Sequence, residues 1–197
     1  MKTKSILLST AIAVAFGVAS CNSNSGDSQD STEHLNNQAI EATAVTDSMA
    51  RAQKEDAESV VELAGGGMME VELAKVALTK ATSPKVKQFA QMMIDDHTKA
   101  NEELKSLASS KNIVLPTTLP EDHQKTINDV SEESGKKFDR KYMDVMLEDH
   151  KKDVDKFQKL ADNGNDEDIK AFAAKILPTL IHHKEEAEKL EKLTDKM

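Results

Sequence analysis

The sequence predicts an all-α domain, an up-down four-helix bundle with a short extra helix in its long connection. Three observations carry this. Aromatic residues make up only 3% of the chain and Trp is absent, while Ala, Leu, Lys, Glu, Asp and Met abound, a mix that favours helices over sheets. Apolar residues return at helical spacing in four separate segments. Pro, Gly, Ser and Asn punctuate the ends of those segments. The 197 residues, less an N-terminal leader and tether, leave roughly 140 to 160 for structure, about one ordinary domain.

The first element is a leader. Met1-Lys2-Thr3-Lys4 gives a basic start, and residues 6–18 give an apolar run too short for a confident membrane span. It ends in Val18-Ala19-Ser20-Cys21, which resembles the lipobox of bacterial lipoproteins. Residues 1–20 are therefore expected to be a cleaved signal peptide, with Cys21, the chain's single cysteine, as the lipidated residue and membrane anchor. One cysteine permits no internal disulfide and no thiolate cage. Asn22 follows it, with no Asp to suggest inner-membrane retention, so the resemblance favours the outer membrane. Residues 21–37 are polar and are expected to stay a flexible tether. Residues 38–54 read as a weakly helical, acidic extension, and residues 55–195 as the bundle.

The first helix carries Val60, Ala64, Gly67, Val71, Ala74, Leu78 and Ala81 on one face and stops before Ser83-Pro84. Within it, Gly65-Gly66-Gly67 should each cost about 1 kcal/mol relative to Ala. Close approach of a neighbouring helix accounts for them; a hinge or a helix start is the alternative. The second helix opens at Pro84, which suits a first turn, carries Val86, Phe89, Ala90, Met93, Leu104 and Ala108, and ends before Asn112. A linker with Pro116 and Pro120 leads to a short helix over 121–133, closed by Gly135. The third long helix carries Phe138, Tyr142, Val145, Met146, Val154, Phe157 and Leu160 as far as Asn163-Gly164. The fourth carries Ile169, Phe172, Ile176, Leu180, Ala187 and Leu190, with Pro178 predicting a kink. Two antiparallel pairs with tight turns and a longer connection describe a ferritin-like bundle, in which side chains from facing helices converge in the core.

Each long helix places one polar residue on its apolar stripe: Glu70, His97, His150 and His183. A buried, unpaired carboxylate is costly, so Glu70 needs partners. Glu70 and His97 lie about equally far from the turn at Ser83. His150 and His183 differ by about five residues from theirs, roughly 7 Å along the axis, a mismatch that the Pro178 kink would have to correct. Three imidazoles and a carboxylate suit one divalent metal, zinc first, with copper, iron and nickel as alternatives. A buried hydrogen-bond network without metal satisfies the same burial constraint, as does an arrangement in which some histidines face water. His182 is expected at the surface beside Glu185 or Glu186.

Other chemistries are disfavoured. A ferritin-type di-iron site needs Glu-x-x-His repeats, and the residues three before the histidines are Ser31, Ile94, Pro120, Leu147, Thr179 and Leu180. The methionines, among them Met68-Met69, Met92-Met93, Met143 and Met146, could serve copper, but core filling is their commoner role. No nucleophilic triad stands out, and Gly65 to Gly67 lack the strand and Lys-Ser/Thr of a phosphate loop. A formal net charge of -9, with lysines interleaved among acids, argues against nucleic-acid partners.

Gly66-Gly67-Met68 followed by Glu70-Val71, Phe89-Ala90 with Asp96-His97-Thr98, Gly135 with Phe138-Asp139 and Tyr142, His150, and Leu177-Pro178-Thr179-Leu180 with His183 resemble the bacterial domain-of-unknown-function 4142 family over about residues 55 to 190. That resemblance implies a ferritin-like fold and an envelope location, and it transfers no activity. It also singles out Asp139 and Tyr142, either as outer partners of the polar cluster or as capping and packing residues of the third helix. Two functions stay open: a lipid-anchored metal-binding module, or an envelope interaction protein whose core polar residues only fix the bundle's register.

Overall fold

The computed structural model describes residues 27–196; the leader and Cys21 lie outside the described residues. Six helices follow one another: α1 (Ser28–Thr43), α2 (Asp47–Lys80), α3 (Pro84–Ser110), α4 (Glu121–Ser131), α5 (Gly135–Asn163) and α6 (Glu167–Thr194). Helices α2, α3, α5 and α6 form the bundle, in two hairpins, α2 with α3 and α5 with α6. Among the described residues no helix is long and apolar enough to cross a membrane.

Local chemistry sets the boundaries. Thr46 caps α2 by accepting from the Met49 amide, Asp166 caps α6 by accepting from the amides of Asp168 and Ile169, and Pro84 opens α3. Gly135, at φ +60°, turns the chain into α5, a conformation that costs a residue with a Cβ more. The glycines of α2 do not begin or break the helix. A Cβ on Gly67 would collide with Asn101 Oδ1 at 2.1 Å and one on Gly65 would meet Pro120 Cγ at 3.0 Å, whereas Gly66 faces open space. Close approach therefore explains two of the three. α6 remains helical on both sides of Pro178.

Two expectations are corrected at the N-terminal side. Residues 28–37, expected to be slack, are the larger part of α1, and α2 begins at Asp47, well before the expected start. The extension expected over 38–54 is split between the end of α1 and the first turns of α2. Apolar content was the wrong criterion here, because α1 is fastened by polar groups. Buried Asn36 accepts from the Val114 amide at 2.8 Å and donates to the Val114 carbonyl at 3.0 Å, Ser28 Oγ donates to the Thr118 carbonyl, and Asp27 accepts from the Glu121 amide. These bonds tie α1 to the connection between α3 and α4.

The core has two apolar halves. One gathers Leu73, Phe89, Met93, Phe138, Tyr142 and Met146 around the α2–α3 turn. The other gathers Val60, Leu104, Phe157, Ile169, Phe172 and Leu180 toward the α5–α6 turn. Between them lies a belt of buried polar side chains.

Candidate metal centre

Glu70, His97, His150 and His183 form that belt, one from each bundle helix, and their exposures are 1%, 6%, 0% and 0%. The three imidazole rings make a nearly equilateral triangle, with centroids 5.5, 5.2 and 5.4 Å apart. The axial mismatch expected between His150 and His183 is closed, their rings 5.4 Å apart, with α6 continuous through Pro178. Side chains lean toward the N-terminus of their own helix. His150, nearer the α5–α6 turn, therefore leans away from it, and His183, farther out, leans back toward it.

The hydrogen-bond geometry fixes much of the protonation. His150 Nδ1 lies 2.9 Å from the Met146 carbonyl, which can only accept, so Nδ1 carries the proton and Nε2 presents a lone pair. His183 Nε2 lies 2.8 Å from the Asp96 carboxylate, and His183 Nδ1 lies 3.3 Å from His97 Nε2. His97 Nδ1 lies 2.8 Å from Glu70 Oε2, and Glu70 Oε1 faces His150 Nε2 at 3.4 Å. The chain thus runs from an accepting carbonyl through His150, Glu70, His97 and His183 to a carboxylate. Its five links each need a proton, but three neutral imidazoles and a protonated Glu70 bring only four. The deficit shows where the longest link is: Glu70 Oε1 and His150 Nε2 are both buried without a hydrogen-bond partner.

A fifth proton would have to protonate the Asp96 carboxylate at the end of the chain or create a buried imidazolium. Burial pushes all three rings the other way, His97 down to about 4, His150 to about 3 and His183 to about 4. Burial also raises Glu70 well above the usual carboxylate range, with Asp149 adding repulsion. A cation at the junction of the lone pairs supplies what the proton cannot. The donor nitrogens of the three histidines lie within 4.8 Å of one another, and bonds of about 2.0–2.1 Å to zinc would draw them to about 3.4 Å. Their outer nitrogens face a carboxylate, a carbonyl and a second carboxylate, the partners that orient metal-binding imidazoles. The donor set therefore fits a transition metal. His97 and His183 border a cleft of about 130 Å³ between α3 and α6, with Asp96, Glu103 and Lys175 on its walls.

The family profile described as a domain of unknown function, DUF4142, matches residues 41–190. The chain belongs to the DUF4142 family. No curated protein matches it. Among solved structures, CopM in its Cu(II)-bound form has a similar fold, with a TM-score of 0.59 and 17% identity over 70% of this chain and 95% of that one.

In this DUF4142 domain the two outer candidates separate. Asp139 takes the structural alternative rather than that of an outer partner: its carboxylate accepts from the Thr82 amide and hydroxyl and the Ser83 amide at 2.9, 2.6 and 2.8 Å, so it clasps the α2–α3 turn. Tyr142 packs between Phe89 and Phe138 at ring distances of 6.2 and 6.1 Å. Its buried hydroxyl has no hydrogen-bond partner; burial first and Glu70 second hold its pKa far up. His182 is exposed, as expected.

The sequence reading missed three residues. Asp96 holds His183. Asp149 and Asp153 lie with Glu70, one carboxylate oxygen from each within 4.8 Å of the others. The signal was present but looked for on the wrong side: Asp153 comes three residues after His150, on the same helical face, where a Glu-x-x-His search looks three before.

Proposed function

We propose that this chain is a metal-binding protein of the bacterial envelope, anchored through a lipid on Cys21, in which His97, His150, His183 and Glu70 hold one divalent transition metal. The observation that carries the reading is the triangle of three buried imidazoles, with donor nitrogens within 4.8 Å of one another, and Glu70 Oε1 facing His150 Nε2 beside them at 3.4 Å. The side chains alone leave one link of the chain without a proton, and a buried acceptor left unsatisfied costs about 1–3 kcal/mol; a metal takes up both lone pairs. Imidazole and carboxylate donors suit zinc, and copper stands beside it for two reasons. Copper outranks zinc at a given nitrogen and oxygen site, and the similarly folded CopM was solved with Cu(II).

The test is titration of the chelated full chain with Zn(II) and Cu(II), read by elemental analysis and by melting. One metal per chain and a raised melting temperature are expected, since a ligand that binds only the folded state stabilises it. His150→Ala should weaken binding by more than about 100-fold, beyond the loss usual for an outer partner. Stoichiometric binding retained in both His150→Ala and Glu70→Gln would overturn the site and leave an interaction protein whose polar belt only sets register.

A further inference from the structure

Beside the imidazole triad lies a second donor set of a different chemical kind. Glu70 from α2 and Asp149 and Asp153 from α5 bring three carboxylate oxygens within 4.8 Å of one another. None of the three forms a hydrogen bond or ion pair with an amide, a hydroxyl or a lysine. Lys156, whose charge acts on all three, makes its ion pair with Glu62 at 2.6 Å. Two oxygens of the group, Glu70 Oε1 and Asp149 Oδ2, are buried with no hydrogen-bond partner, and the Glu70 side chain is only 1% exposed. A void of about 30 Å³ borders Glu70 and Asp153 but not Asp149, with His97, Asn101 and mainly apolar side chains completing its wall. It lies on the side where the absent side chain of Gly67 lets Asn101 approach α2.

We propose that Glu70, Asp149 and Asp153 bind a second divalent cation, a hard one of the magnesium, manganese or calcium class, next to the transition metal held by the histidines. The site rests on the reading of the triad, because Glu70 serves both: Oε2 faces His97, and Oε1, which faces His150 Nε2 at 3.4 Å, would be shared between the two ions. The two donor sets differ in preference, since all-oxygen sites suit hard cations and imidazoles suit zinc or copper. The ions would share one carboxylate, as in two-metal centres with ions about 3.5–4 Å apart. A cation there also stabilises the ionised form of three crowded acids that burial otherwise disfavours.

The experiment uses the full chain in two steps. The chelated protein is first loaded with one equivalent of Zn(II) and dialysed, and Mn(II) is then titrated in, with bound manganese read by its electron paramagnetic resonance. One further manganese per chain is expected. Asp149→Asn and Asp153→Asn should each lower manganese affinity at least tenfold while zinc stays at one per chain, which also shows that the variants fold. With Cu(II) in place of zinc, adding manganese should broaden the copper signal of the wild type. Zinc bound with no manganese overturns the second site alone. Manganese bound equally well by both variants places it on the acidic surface and overturns it too. Failure of zinc to bind in the first step overturns the triad, and the shared-Glu70 arrangement with it, before manganese is added.

Discussion

Glu70 and Asp139 are both buried carboxylates, 1% and 0% exposed, and they do opposite work. Asp139 accepts three hydrogen bonds and leaves the Thr82–Ser83 turn fastened to α5. Asp56 repeats the device at the other end of the bundle, accepting from the amides of Asn165 and Asp166 at 2.9 and 2.7 Å. Glu70, midway between them, has an imidazole on one oxygen and nothing donating to the other. Burial alone does not mark a functional acid. The mark is a buried acid whose neighbours cannot supply the protons it needs.

The sharpest way to break this comparison is to remove each acid. Asp139→Ala strands two amides and a hydroxyl and should cost on the order of 3 kcal/mol in urea unfolding, with metal stoichiometry intact. Glu70→Gln in chelated protein should cost nothing or raise stability, because it removes a carboxylate that burial penalises, and it should lose metal. If both variants lost stability equally, the distinction between clasp and site would fail. Next in size is Asp96→Asn, which weakens the partner that orients His183; metal affinity should fall about 10- to 100-fold while chelated melting stays within a degree or two of wild type. An unchanged dissociation constant would remove Asp96 from the site.

A pH series sharpens the same contrast. Burial first, then Glu70 and Asp149, raise Asp153 to about 9. A raised folded-state value means that the stabilising contribution is complete below the unfolded value, near 4, and is lost as pH climbs through about 9. The stability advantage of chelated Asp153→Asn over wild type should therefore widen across that window. A difference that stays flat would show that the carboxylate is not held protonated. The smallest expected effect is at the glycines: Gly66→Ala, with nothing near its Cβ, should stabilise by about 1 kcal/mol, whereas Gly65→Ala should gain less because Pro120 stands in the way.

The bundle and the four belt residues were legible because each long helix sets one polar residue on an otherwise apolar stripe, and period and punctuation agree. The acids were not. Asp149 and Asp153 sit in a stretch of α5 that also holds Glu148 and Asp155, and only the folded neighbours separate a donor from a solvated charge. The depth of His150 against His183 was misjudged because counting rise along an axis ignores the lean of side chains. Helix α1 was hidden for another reason: Asn36 and Ser28 gain their partners from residues 114 and 118, far along the chain.

The fastening of α1 also bears on the proposed membrane anchor at Cys21. With Ser28 bonded to Thr118, a lipid on Cys21 under that proposal would stand only seven residues from the fastened helix, no more than about 25 Å of backbone at full extension. A chain loose as far as residue 37 would more than double that reach. If the proposed anchor holds, the bundle would be berthed close to its bilayer, and a partner would have to come to the membrane surface to find it.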